Sequence, residues 1–385
     1  MPWWNLARNH ACADFARLAG KECQQQIPGL SRENGGNDSV KVGLVGFPGS
    51  GKTTVFNAMT GQDAPVGYGG EVRRAVVDVP DPRVEWLSAL YRPKKTTFAS
   101  IVFCDIPGEH GSERRGLSTA ALQQVRDQDA LCLVLRGFDN PALEHAPDPS
   151  AELEAFHAEC VLADLLFVER WLERARKEAK RGLEVAAFER MLETLESERP
   201  LRVLPESELD RSLLRGYSLV TDAPLLAVLN REEDDAGESL ADELEGALAR
   251  MGAGGMTLSA SLEAEIAMLE PADQQEFLRD MGLAEPALDR FIRAAYQLQD
   301  LISFFTVAGP EVRAWTIRAG TDARRAAGKI HSDMERGFIR AEVIPCDVLE
   351  EYGSEQAVKS AGRLRVEGRD YVVQDGDVLR VLFNV

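Results

Sequence analysis

An octapeptide, GFPGSGKT from Gly46 to Thr53, restricts this chain's architecture more than any other stretch. It fits the phosphate-binding pattern GxxxxGK[ST], a loop that must join a strand to a helix. Both neighbours comply. Val42, Leu44 and Val45 in KVGLVG read as a short buried strand, and Val55, Phe56 and Met59 in TTVFNAMT recur at helical spacing. Gly46, Gly49 and Gly51 let backbone N–H groups close on phosphate oxygens with Ser50 among them, and the helix N-terminus adds partial positive charge. Lys52 is placed to reach the β- and γ-phosphates and Thr53 to hold Mg²⁺, with Thr54 next on the helix. A glycine-rich turn could match such a pattern by accident, but rarely with strand, loop and helix in register. The expected fold is therefore α/β, built on a P-loop nucleotide-binding domain.

Composition narrows the partners. A chain of 385 residues can build two or three cores. Its net charge of −19 offers no bulk attraction to nucleic acid or to an anionic membrane. The six cysteines are scattered without a CxxC pair, as suits reduced thiols in a cytoplasmic protein. No apolar run approaches a membrane span, so no membrane partner is expected. Residues 1–39 read as a disordered extension. MPWWNLARNHACADF lacks a signal peptide's apolar core, and SRENGGNDS reads as a linker. The natural chain is expected to begin near Val40.

Further site residues follow along the chain. IVFCDIPG ends a second apolar strand with Asp105 and Gly108 in a DxxG pattern, about fifty residues beyond the P-loop. In P-loop GTPase-like proteins this Asp serves Mg²⁺ and this Gly senses the γ-phosphate. A third strand spans Asp129 to Phe138, and a fourth, PLLAVLN, ends at Asn230. A GTPase carries Asn-Lys-x-Asp here, whose Asp pairs with guanine; this chain has Arg231 and, one methylene longer, Glu233. Guanine preference should be weak or lost, although NREEDD taken alone is an ordinary acidic turn. TLSAS then sets Ser259 and Ala260 after a fifth strand, where base-contacting amides usually lie.

The P-loop, DIPG and the Asn-x-x-Glu variant resemble the YchF (Obg-like) ATPase family, within the TRAFAC class of P-loop GTPases. The densest similarity lies in FFTVAGPEVRAWTIRAGT, AAGKIHSD, GFIRAEVI and VEGRDYVVQDGDVLRVLFNV. It runs from about residue 40 to the end. The resemblance implies a GTPase-like fold that prefers ATP, an inserted helical hairpin, a C-terminal TGS domain, and association with ribosomes in translation or stress responses. The expected division is 1–39 extension, 40–149 and 201–300 nucleotide domain, 150–200 hairpin, and 301–385 TGS domain.

The residues independently support the two accessory parts. Val161, Leu165, Val168, Leu172, Ala175 and Ala179 alternate steps of four and three, a coiled-coil seam. Gly182 permits a turn, Val185, Phe188, Leu192 and Leu195 resume the spacing, and Pro200 ends it. Two ordinary surface helices packed on the body would give a similar pattern. Beyond residue 300, a helix in DARRAAGKIHSD packed on a small sheet suits a β-grasp fold, and Asp375-Gly376-Asp377 turns into an alternating strand. This stretch holds 12 Lys/Arg against 13 Asp/Glu, so nearly all the net negative charge lies elsewhere. Arg313, Arg324, Arg325, Lys329, Arg336 and Arg340 are candidates for an RNA-facing patch or, equally, a dispersed solvated set.

The chain leaves the family pattern in four places. Gly49 stands where an Asn is usual, Gly69 near a Mg²⁺-binding Thr, Glu109 and His110 after the DxxG glycine, and Leu133 where a His is common. Phosphate-holding residues remain while hydrolysis-organising ones have changed, so chemistry should slow more than binding. No catalytic residue is assigned; Glu109 and His110 are the candidates. The expectation is a monomeric, Mg²⁺-dependent, slow ATPase of the cytoplasm that binds ribosomes. A scaffold with negligible turnover and a GTP-binding GTPase are the alternatives.

Overall fold

The computed structural model describes residues 40–61, 72–107, 119–214, 216–235 and 237–384. Residues 1–39, the expected extension, lie outside them. Two units form. One takes residues 40–76 and 102–291, the other residues 77–101 and 292–384.

In the first unit, β1 (Lys41–Val45) leads through the glycine-rich loop into α1 (Lys52–Thr60), and β2 (Arg73–Asp78) follows. After an excursion into the second unit, α2 (Pro82–Tyr91) and β3 (Lys95–Thr97), the chain returns as β4 (Ser100–Asp105). Then come α3 (Thr119–Arg126), β5 (Ala130–Gly137), α4 (Pro149–Lys177), α5 (Leu183–Glu196) and β6 (Leu225–Arg231). The unit continues with α6 (Asp242–Arg250), β7 (Gly254–Leu258) and α7 (Ala260–Met268). The sheet order is β2-β4-β1-β5-β6-β7, and from β4 to β7 every pairing is parallel. Parallel strands need covered faces, and these are nearly continuous apolar runs. β5 is buried from Ala130 through Arg136, and Leu133 sits near its centre, wholly buried in the apolar core. Register then fixes the site. Leu44 lies beside Asp105 and Cys132, and Asn230 beside Arg136 and Leu258, so the loops leaving all five strands gather at one carboxyl edge.

Helices α4 and α5 fold back on each other. Asp148 caps α4 by accepting from the Ala151 N–H, with Pro149 in the first turn. Gly182, at φ 124°, opens α5. Val161, Val168, Leu172 and Ala175 are buried as the spacing predicts, whereas Ala179 falls beyond the helix end with φ 52°. The apolar stripe is wider than a two-helix seam because the chain after Pro200 covers it. Leu201, Leu204, Leu209, Leu214 and Leu219 join the same cluster, and Tyr217 meets Trp171 and Phe188 edge-on while those two rings stack at 3.7 Å. This aromatic layer was not legible from the helical spacing.

The second unit is a mixed sheet in the order β11-β10-β12-β8-β9-β3. Its later strands are β8 (Leu301–Ala308), β9 (Glu311–Arg318), β10 (Phe338–Pro345), β11 (Arg365–Glu367) and β12 (Asp377–Phe383). A helix at Ala323–Ile330, capped by Asp322, buries Ala323 and Ala326 against Phe304, Ala341, Val343 and Leu379. Residues 77–101 were assigned to the nucleotide domain on sequence, yet they pack here. β3 pairs in parallel with β9, and Arg83 at the start of α2 bridges Asp81 and Asp375 at 2.8 Å each. Among the described residues, Cys104, Cys132, Cys160 and Cys346 are buried free thiols. Among the described residues no helix is long and apolar enough to cross a membrane.

Candidate nucleotide site

The strand–loop–helix expected around GFPGSGKT is present, and the loop's backbone explains its glycines. Gly51 caps α1 at φ 89°, and a Cβ there would collide with the side-chain amide of Asn230. Gly49 sits at φ 80°, where a Cβ would come within 2.8 Å of Leu143 and 3.0 Å of Asn140. The space beside Gly49 is therefore filled from another loop, and an Asn at this position would have to displace both. Thr54 follows on α1, half-buried.

Lys52 folds back on its own loop. Its Nζ donates to the carbonyls of Gly46 at 2.7 Å and Phe47 at 3.1 Å. Burial brings its pKa down from 10.5 to about 8, opposed by the charges of Asp105 and, further off, Glu152. The Thr53 hydroxyl donates to Asp105 Oδ2 at 3.1 Å, which brings together two residues 52 positions apart. Asp105 Oδ1 is buried and has no hydrogen-bond partner among the described residues; the same holds for Ser50 Oγ. Burial raises the Asp105 pKa against the Thr53 hydrogen bond and the charges of Lys52 and Arg73. A hydroxyl beside a carboxylate with an unspent oxygen is a hard oxygen donor set, which fits Mg²⁺. No cluster of three or more His, Cys, Asp or Glu suited to a metal occurs among the described residues. Thr53 and Asp105 would need phosphate oxygens and water to complete a coordination shell.

Asn230 is buried at the end of β6 and acts as a strut. Its Nδ2 donates to the Ser50 carbonyl at 3.1 Å, and its Oδ1 accepts from the Ala260 N–H at 2.9 Å. The Ala260 amide expected to meet a base is thus spent on Asn230. Ser259, also buried, meets Ser261 at 3.1 Å. Arg231 is folded away, with Nη1 at 2.6 Å from Glu238 and Nη2 donating to the Ser239 carbonyl. Glu233 is exposed on a single 3₁₀ turn. Gly108, Glu109, His110 and Gly69 lie outside the described residues.

Three contributors were missed on sequence. Asn140, in the loop after β5, donates from Nδ2 to the Gly49 carbonyl at 3.3 Å. Glu152 in the first turn of α4 accepts from the Arg136 N–H at 2.9 Å, while the buried Arg136 guanidinium holds the carbonyls of Phe138, His145 and Ala146. Arg73, opening β2, brings Nη1 to 3.9 Å from Asp105 Oδ2. The loop positions follow from β5 ending at the carboxyl edge; Arg73 carried no motif signal.

The comparisons with known proteins agree with this geometry. Residues 301–384 match the YchF-GTPase_C family, described as a protein of unknown function (DUF933). Residues 41–168 match MMR_HSR1, described as 50S ribosome-binding GTPase. The chain is 38% identical over 360 residues to the ribosome-binding ATPase YchF of Escherichia coli O157:H7, covering 90% of this chain and 99% of that one. To the protein of the same name from Bacillus subtilis it is 38% identical over 365 residues, covering 90% and 100%. The solved structure of the Schizosaccharomyces pombe YchF GTPase superposes with a TM-score of 0.79 at 29% identity, covering 90% of this chain and 98% of the other.

Proposed function

This chain belongs to the YchF family, and on that footing we propose that it binds ATP with Mg²⁺ at the P-loop, hydrolyses it slowly and associates with ribosomes. The observation that carries the reading is the convergence of Lys52, Thr53 and Asp105 at one carboxyl edge, with Asp105 Oδ1 unpartnered among the described residues. Bound Mg²⁺ would neutralise phosphate charge there. Lys52 leaves two carbonyls for phosphate, Gly46, Gly49, Ser50, Gly51 and Thr54 offer the cradle, and Asn230 fixes the loop against β6. Gly108 remains the residue assigned to sense the γ-phosphate, and Glu109 and His110 the hydrolytic candidates. Glu233 is exposed and Arg231 engaged elsewhere, which supports a base pocket without guanine pairing.

The reading extends to the accessory parts. Residues 301–385 are taken as a TGS domain of β-grasp type, offering exposed Arg324, Arg325 and Lys329 to RNA, and residues 150–200 as a projecting coiled-coil hairpin. The protein is expected to act as a cytoplasmic monomer. Equilibrium titration with ATP and GTP, followed by single-turnover hydrolysis, tests the core claim. ATP should bind at least as tightly as GTP, and clear GTP preference would overturn it. Co-sedimentation with ribosomes across a salt series tests the partner. Failure to bind at low salt in every nucleotide state would remove the ribosome from the account.

A further inference from the structure

Arg73 stands in the inward phase of β2, beside the carboxylate of the site. Along β2 the exposure alternates, so Arg73 shares its side of the strand with Ala75 and the buried Val77, while Arg74 and Val76 are exposed. A charged residue in the inward phase of a strand must be compensated. Here the guanidinium Nη1 stands 3.9 Å from Asp105 Oδ2, the oxygen that also accepts the Thr53 hydroxyl. Its side chain keeps about a third of its surface open. Asp105 is thereby flanked by two cations, Lys52 and Arg73. The P-loop pattern accounts for Lys52 and requires nothing at position 73.

We propose that Arg73 is a catalytic residue directed at the γ-phosphate, resting on Asp105 in the nucleotide-free chain and turning onto the terminal phosphate of bound ATP. This rests on the reading that the site binds and hydrolyses ATP. In that reaction a water oxygen bonds to the γ-phosphorus as its bond to the β–γ bridging oxygen breaks. ADP leaves with the electron pair, and the water's proton ends on inorganic phosphate or solvent. Negative charge spreads over the equatorial γ-oxygens during transfer, and a guanidinium placed there stabilises it without exchanging a proton. β2 and β4 are sheet neighbours, so the chain supplies this cation itself, in cis.

The test compares the full-length wild type with Arg73→Ala, Arg73→Gln and Arg73→Lys, each checked by thermal melting. Equilibrium binding of ADP and ATP, single-turnover hydrolysis, and binding of ADP with aluminium fluoride are measured. Arg73→Ala should keep wild-type ADP affinity, lose on the order of a hundredfold or more in hydrolysis, and lose the tightening that aluminium fluoride confers. Arg73→Gln, which keeps a polar head without the charge, should behave alike, and Arg73→Lys should recover part of both losses. Wild-type hydrolysis and full aluminium fluoride tightening in Arg73→Ala would overturn the proposal. If Arg73→Ala does not fold, Arg73→Gln decides by the same two readouts. Where wild-type turnover is too slow to follow, the aluminium fluoride arm decides alone, its loss in the variant supporting the proposal and its retention ending it. A wild type that binds no ATP would instead sink the functional reading on which the proposal stands.

Discussion

Asp105 and Asp164 are both enclosed carboxylates of the first unit, and they are treated in opposite ways. Midway along α4, Asp164 accepts from the Val220 N–H at 3.2 Å and from the Thr221 N–H and hydroxyl at 2.8 Å each, and it meets Arg126 at 3.5 Å. At the carboxyl edge of the sheet, Asp105 has one hydroxyl at 3.1 Å and an oxygen with no partner among the described residues. Burial raises the pKa of both, and only at Asp164 do backbone donors offset it. The scaffold completes its own polar network. Among the described residues the site's network stays incomplete, with Lys52 lent to the carbonyls of its own loop. Where hydrogen bonding is closed the residue holds the fold together, and where it is open the residue awaits a ligand.

The largest effect that can break this comparison is loss of the lent cation. Lys52→Ala should reduce ATP affinity by on the order of a hundredfold or more, because phosphate charge is then buried without its partner. Thermal melting without nucleotide should stay near wild type. Binding that survives in a titration would place the phosphates elsewhere.

Next in size is the contrast between the two aspartates. Asp164→Ala strands two backbone N–H groups of the Val220–Asp222 turn and should cost about 3 kcal/mol in urea unfolding. Asp105→Asn removes a carboxylate whose burial no backbone donor offsets, so stability should change far less than in Asp164→Ala. Equal destabilisation by both would remove the distinction.

The smallest effect is a pair of opposed pH slopes from Lys52. Its pKa is about 8 in the folded chain and 10.5 when unperturbed. Between these values the unfolded chain binds more protons, so the Lys52 contribution to stability rises with pH. ATP needs the charged lysine, so its affinity should fall above pH 8 by up to roughly tenfold per unit. Titrations at pH 7, 8 and 9 measure the slope. An affinity flat across that range would show that Lys52 stays charged without nucleotide.

Much of the fold and half of the site were legible in the sequence, for separable reasons. GFPGSGKT, Asp105 and Asn230 announce themselves because each follows an apolar strand at a spacing that fixes its place on the carboxyl edge. Partners brought in by tertiary packing carry no such mark. Asn140 and Leu143 meet Gly49 across some ninety residues, and Arg73 is one arginine among alternating strand residues. Residues 77–101 carry no motif that assigns them to a unit; the β3–β9 pairing and the Arg83–Asp375 bridge place them in the second. The helical spacing of α4 and α5 predicted their shared stripe but could not show Tyr217 closing over Trp171 and Phe188. Leu133 reads as a departure from a family pattern and proves to be a core residue.

The most direct test of an open site is calorimetric titration of ATP into the wild type and Asp105→Asn, each with excess Mg²⁺ and with chelator. The account predicts that Mg²⁺ tightens ATP binding to the wild type and that Asp105→Asn loses most of this gain while still binding through Lys52. Full Mg²⁺ enhancement in Asp105→Asn would contradict it, because the Asp105 carboxylate would then contribute nothing to holding Mg²⁺.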